Sequence, residues 1–557
     1  MTAIRTNTEL TIVVQPQSTM TDDPQNYPSS DVNNIVSANL PIPIVVKWAN
    51  TAGNAVSSTY NPTTTGDVVN VIIEVFAGNK FGTNQSISSN QMKQIATLKK
   101  SRDLPYLMTD MGSNMNVGQP FQYFSFDLQT ICADLLSYTL APIKSGTIKS
   151  VDFGGYNGDT SSYIQGNNNP ILHPIGAFRF IDFRVKAEVL NSDGEVVSTT
   201  SDALEGKTFG IVNNVPQWTD SHNLHDYAVV GGSGAEDTSH KFFSYCPNAA
   251  TSDSDVPYKK PIRITDEAEW LHFYIESGIL VSTSDKTADA FIKIETSDGD
   301  DAELNSFKTL IPSFGSASNA VYKSYLIQNV SPVYINSISA NTISDDTVWY
   351  KATLVLTKDG DTDFNYSESR YFLIDRQPVK PAYDFVRFHW LNRAGGIDSY
   401  TCTRDVTESV SVSKNTYEQR PNQRMLPEEG SLPTSYTGVT YNNDSLADTN
   451  FSNTYQESVR VLNVDATKNE SVYTEPMNKI ESDWLSELIT SPSVWIELEN
   501  DASKRANAIS ATMHPSTKDY FPVIITNSSV ETVNQEQGLV KFNIEFTHSH
   551  KINTQRN

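Results

Sequence analysis

Short runs of β-branched and aromatic residues recur along this chain, each bounded by Pro, Asn, Gly or Ser, and they predict strands. The first runs are residues 44–48, 69–76 and 94–98. A second region opens with residues 178–185 and 187–190. It turns at Asn191-Ser192-Asp193-Gly194 and returns through Glu195-Val196-Val197. Asp-Gly between two such runs predicts a hairpin. Strands are expected again at 270–275, 291–295, 322–327, 348–356 and 371–374. Residues 385–402 read as strand, Gly395-Gly396 turn, strand, and runs at 458–462 and 494–498 follow. A last hairpin sets residues 522–526 against Val540, Phe542, Ile544 and Phe546, which alternate with Lys541, Asn543 and Glu545. Helical spacing appears twice. Leu128, Ile131, Cys132, Leu135 and Leu136 share one face after Asp127, a candidate cap. Trp484, Leu485, Leu488 and Ile489 do the same from Ser482 until Pro492. Cys132 on such a face is expected to be a packed core thiol.

These elements predict a mainly β protein of tandem β-sandwich domains, Ig- or Fn3-like, with a few short helices and extended arms. The expected division is an N-terminal arm at 1–37, a sandwich with one packed helix at 38–150, and a second sandwich region at 151–380. The last region is a β-rich domain at 381–557 with a long polar insertion near 410–457. The arm and the insertion are rich in neutral polar residues, and the chain holds 46 asparagines. No repeat of fixed period is visible.

Charge narrows the classes. The 557 residues carry 41 Lys+Arg against 65 Asp+Glu, a formal net charge of -24. That excess argues against wrapping nucleic acid, which needs clustered cations. No apolar run reaches transmembrane length, and the N-terminus has no apolar stretch of the signal-peptide kind. The three cysteines, Cys132, Cys246 and Cys402, lie far apart and form neither a disulfide framework nor a zinc cluster.

Candidate chemistry is sparse. His222 and His225 sit three apart but lack the zincin pattern, and a surface loop is expected. His548 and His550 share a strand face without a third ligand. The acidic turns at Asp298-Gly299-Asp300-Asp301 and Asp359-Gly360-Asp361-Thr362-Asp363 suit solvated tips, because neither matches a calcium loop. Gly231-Gly232-Ser233-Gly234 lacks a P-loop ending, and no nucleophile elbow occurs. Gly395-Gly396 reads as a tight turn between aromatic strands, and His389 as a half-buried strand residue. No catalytic, cofactor or metal residues are therefore assigned, and no enzyme is expected.

One pattern is more pointed. An aromatic strand leads into Asn392-Arg393-Ala394-Gly395-Gly396-Ile397-Asp398-Ser399-Tyr400. After a polar insertion come Glu481-Ser482-Asp483-Trp484-Leu485, Ser491-Pro492-Ser493-Val494-Trp495 and the final hairpin. Upstream stand Phe242-Phe243-Ser244-Tyr245-Cys246-Pro247, Ile262-Arg263-Ile264-Thr265-Asp266 and Glu269-Trp270-Leu271. This resembles tail-associated virion structural proteins of tailed bacteriophages, of a type associated with phages of Bacteroidetes and related marine bacteria. The resemblance spans residues 240–280 and 370–557. It implies a structural part of the tail, neck or baseplate, assembled in the host cytoplasm, with other virion proteins and further copies of itself as partners. Two alternatives stand beside it: a tail-tip protein that binds a host-surface glycan, and a secreted glycan-active enzyme or adhesin.

Overall fold

The computed structural model describes residues 3–5, 10–16, 35–49, 68–78, 92–101, 121–136, 178–190, 195–200, 203–206, 209–215, 224–229, 240–247, 258–263, 267, 269–275, 289–299, 303–310, 324–332, 335–336, 339–358, 362–376, 385–418, 459–498, 519–527, 529–532 and 538–552. As the β-branched runs demand, the protein is mainly β, with several sheets.

The N-terminal unit contains β1 (Ala3–Arg5), β2 (Leu10–Val14), β3 (Ile35–Ser37), β4 (Pro43–Ala49), β5 (Val68–Gly78), β6 (Met92–Ser101), β7 (Phe121–Asp127), helix α1 (Gln129–Asp134), β8 (Phe178–Leu190), β9 (Val196–Thr200), β10 (Leu204–Glu205) and β11 (Phe209–Val212). Strands β2, β4 and β7 form a three-stranded sheet, and the other eight form a second. Ile44, Val46, Phe124 and Phe126 of the small sheet pack with Val71, Ile73, Ile181 and Phe183 of the large one. Leu128 and Cys132 fill the same core, and burial pushes the Cys132 thiol up to about 12. The helix is shorter than its periodicity suggests. Asp127 ends β7 and accepts from the backbone of both Ile42 and Gln129, while the capping position is Leu128 without a side-chain bond. The strand β7 was hidden because its Phe residues run straight into that helical pattern. The large sheet draws strands from both sides of residue 150, and β1 and β3 pair within it. The described parts of the N-terminal arm are thus extended strands that pair within the chain's own sheets.

The middle unit comprises β12 (Ala228–Val229), β13 (Lys259–Arg263), β14 (Trp270–Ile275), β15 (Asp289–Ser297), β16 (Glu303–Leu310), β17 (Ser324–Asn329), β18 (Trp349–Lys358) and β19 (Thr362–Asp375). Two sheets, β12-β14-β17 and β13-β19-β18-β15-β16, enclose a core that includes Leu271 and Phe273 against Ile292, Ile294, Tyr350, Leu354 and Phe372. Along β15 and β18 the core residues Ile292, Ile294, Tyr350, Ala352 and Leu354 alternate with Lys293, Lys351 and Thr353.

The C-terminal unit is one seven-stranded sheet, ordered β21-β20-β24-β25-β26-β23-β22. Its strands are β20 (Val386–Leu391), β21 (Ile397–Cys402), β22 (Arg404–Glu418), β23 (Val459–Tyr473), β24 (Val494–Leu498), β25 (Asp519–Ile525) and β26 (Asn543–His548). Helix α2 (Lys479–Thr490) packs Trp484, Leu485 and Leu488 on one face against Phe388, Trp390, Ile496 and Phe546. Asn478 and Glu481 close its N-terminus with a reciprocal capping box. The insertion expected near 410–457 is strand as far as Glu418; residues 419–458 lie outside the described residues.

Candidate functional site

The alternation along β20 sets the geometry. Val386, Phe388 and Trp390 point to the α2 side of the sheet. Arg387 and His389 therefore point to the opposite face, where an isolated domain would offer water. That face is instead covered by the middle unit, and Arg387 and His389 are fully buried. His389 was expected to be half-buried; the packing of a second unit on its face is what removes it from solvent.

Arg387 is the hub. Its Nη1 donates to Glu267 Oε2 at 3.1 Å and to Thr401 Oγ1 at 2.8 Å. Its Nη2 donates to Glu269 Oε2 at 2.7 Å and to Ser399 Oγ at 3.0 Å, and its Nε lies 3.6 Å from Glu497. Lys260 Nζ donates to Glu269 Oε1 at 2.8 Å. The Thr401 and Ser399 hydroxyls donate hydrogen bonds to Glu267 and Glu269, each at 2.7 Å. Two cations thus face three carboxylates in a dry layer. Burial pushes Glu267 above the usual carboxylate range against the pull of Arg387. Burial also pushes Glu269 upward, but Lys260 and Arg387 outweigh it and hold that carboxyl low. His389 is driven far down by burial, with Arg387 adding to the effect, so a neutral imidazole donates Nε2–H to Glu497 at 3.0 Å. Trp270 and Tyr520 pack their rings against it at 5.2 Å.

Around this layer the Gly395-Gly396 turn does more than join two strands. Asn392 Oδ1 accepts from both glycine amides, and its Nδ2 donates to the Phe243 carbonyl. Gly395 has φ +98°, and a Cβ on Gly396 would stand 2.2 Å from the Phe243 oxygen. The tip is wedged where all three units meet, against Phe243, Val212 and Asn213. Asp398 joins Ser244 Oγ at 2.6 Å to Trp484 Nε1 at 2.9 Å, and Arg393 reaches Glu487 at 2.9 Å. Chemically, the charges of the layer, Lys260, Arg387, Glu267, Glu269 and Glu497, pair with one another out of solvent and fix the units in place.

A cleft of about 670 Å³ opens beside the cluster, walled by Tyr258, Arg263, Glu267, Arg376, Glu475 and Trp484 among others. Three of its carboxylates are engaged: Glu267 with Arg387 and Thr401, Glu475 with Thr403, and Glu481 with the Asn478 backbone at the start of α2.

A second feature lies at the other end of the sheet. Strands β22 and β23 run past the rest as a two-stranded ribbon, since β26 pairs β23 only over Asn469–Tyr473, with one further bridge at Ala466–Ile552. Residues 407–418 are all exposed, including Val410 at 57% and Val412 at 54%, and Leu462 is 68% exposed. Among the described residues β22 pairs with nothing on its outer edge.

The residues singled out in the sequence fall elsewhere. His222 and Gly231-Gly232-Ser233-Gly234 lie outside the described residues, as do Asp300, Asp301 and Asp359-Gly360-Asp361. His225 falls in a 3-10 turn, Leu224–Tyr227. His548 bonds Glu470 at 2.7 Å, and Phe521 packs against both His548 and His550. Among the described residues no group of three His, Cys, Asp or Glu side chains is placed to hold a metal, and no helix is long and apolar enough to cross a membrane. Sequence reasoning missed Arg387, Glu267 and Glu269 as a set; the available signal was a central strand, Val-Arg-Phe-His-Trp-Leu, that carries charge between aromatics. No family model matches the chain, and no curated protein matches it.

Proposed function

We propose that this chain is a structural component of a bacteriophage particle, in the tail or at the head–tail junction, and that it works by assembly between subunits rather than by catalysis. The ribbon β22–β23 carries this reading. A two-stranded ribbon buries too little of itself to be stable alone in water. This one nonetheless runs roughly 33 Å beyond β26 at the usual rise per residue, and it displays valines and a leucine outward. Such an element gains its stability from a neighbour. The buried charge layer supports the same reading, because it locks the middle and C-terminal units into one block suited to bearing load. The net charge of -24 keeps that block from adhering to packaged or ejected DNA. The partners are other virion proteins and further copies of this chain, and the place of action is the virion.

The test is direct. Purified particles from the source phage are analysed by mass spectrometry and labelled with an antibody raised against residues 385–552. The protein is expected in stoichiometric amounts at the tail or neck. Its absence from particles, together with hydrolysis of a capsule or cell-wall glycan by the isolated protein, would sink the proposal.

A further inference from the structure

The outer edge of β22 is self-complementary. We infer that β22 pairs antiparallel with β22 of a second copy, across a two-fold axis at Ser411, joining two seven-stranded sheets into one. The inference deepens the assembly reading by naming the partner of the ribbon as the same chain.

Natural edge strands are guarded against pairing with another chain. Proline, bulges and repeated lysines keep such edges from pairing. Strand β22 contains neither Pro nor Gly, and Lys414 is its single lysine. The register slip near its far end places the extra residue, Leu462, on β23 and leaves the outer strand regular from Thr407 to Glu418. Beyond a second slip on β22 itself, between Arg404 and Thr407, the edge is therefore regular and open among the described residues.

The residue order then selects one register. With Ser411 opposite its own copy, Val410 meets Val412, Ser409 meets Ser413, Glu408 meets Lys414 and Thr407 meets Asn415. Each pair matches in kind: valine with valine, hydroxyl with hydroxyl, acid with base. Shifting the axis to residue 410 or 412 sets Glu408 against Val412, or Val410 against Lys414, so charge meets valine. Directly opposed side chains are the unit of sheet stabilisation, and opposite charges or apolar pairs favour the match. Parity is right too, because residues opposite one another share a face.

The face involved is prepared for it. Val410 and Val412 lie opposite Lys468 and Ala466 of β23, so they continue the side of the sheet on which Val472 is core. In the pair, four valines cluster at the axis. Glu408 already holds Lys468 at 2.9 Å, and Lys414 has no ion-pair partner among the described residues. Across the axis Lys414 would extend that row of alternating charge. A self-complementary patch of this kind closes into a two-fold dimer.

The experiment uses the full chain. Sedimentation equilibrium is run on wild type, Lys414→Glu, Glu408→Lys and an equimolar mixture of the two variants. Wild type is expected to dimerise, and each single variant to weaken dimerisation about tenfold or more, since two attractive pairs become repulsive. The mixture should regain association, because a mixed dimer restores both pairs. Ser411→Cys should cross-link to a dimer under mild oxidation, and the three native cysteines are buried and silent. Wild type that stays monomeric at about 100 μM, a dimer indifferent to Lys414→Glu, or a mixture no better than its parts overturns the inference. A chain found in particles yet monomeric in solution sinks this pairing alone. A chain absent from particles sinks the assembly reading whether or not it dimerises.

Discussion

At Arg387 the cost of burying charge is offset only by complete pairing. Removing one member of a buried ion pair typically costs about 3–5 kcal/mol, because its partners stay behind uncompensated. Arg387→Met is therefore expected to lower the urea midpoint by that equivalent, leaving Glu267, Glu269 and Glu497 facing one another. Gly396→Ala should cost about 1–3 kcal/mol by overpacking, since its methyl would meet the Phe243 carbonyl. Two buried groups set opposing pH slopes. Burial holds His272 down to about 3. Below about pH 6.5 the unfolded chain therefore binds a proton that the folded chain refuses, and stability falls with acid. Glu487 is pushed up to about 7 by burial, with Asp398 adding and Arg393 opposing. Between about pH 7 and the ordinary carboxylate range near 4.3 the folded chain keeps a proton that the unfolded chain loses. There, stability rises as pH falls. Urea midpoints at several pH values should show His272→Gln flattening the acid-side loss, and Glu487→Gln removing the acid-side gain. Either variant that leaves the wild-type pH profile unchanged refutes its assignment.

Strands were legible where one face is buried and the other wet, as at Asn543–His548, where Ile544 and Phe546 are buried beside an exposed Glu545. Their period of two survives in the sequence because packing demands it. Strand β22 was not legible, because its apolar positions Val410 and Val412 are few and exposed, and the Thr, Ser, Glu and Lys around them read as a loop. The charge layer was hidden for another reason. Glu267 and Glu269 lie 120 and 118 positions from Arg387, and local pattern cannot join them. Strand β20 looked half-solvated because its second cover comes from another unit. The helix α1 ends at Asp134, although the apolar spacing runs on to Leu136, because Leu135 is already its capping position. At α2 pattern and structure agree, helped by the Asn478–Glu481 cap. Asn478→Ala is expected to destabilise the protein by about 1 kcal/mol through loss of that cap, read from the thermal midpoint.

Across the whole molecule, three packed cores meet at one tip, and the middle and C-terminal units share a layer of charge that neither could bury alone. They should therefore unfold together. Calorimetry of wild type is expected to show one transition for this pair, and Arg387→Met to lower and broaden it; two independent wild-type transitions from these units would contradict the shared layer. The junction also bears on how such a chain can change between related genomes. A crossover near residue 380 that imports a foreign middle region lacking Glu267 and Glu269 leaves a guanidinium sealed among neighbours that cannot answer it. Viable recombinants should therefore inherit residues 258–552 as a single cassette, with breakpoints tolerated upstream of it.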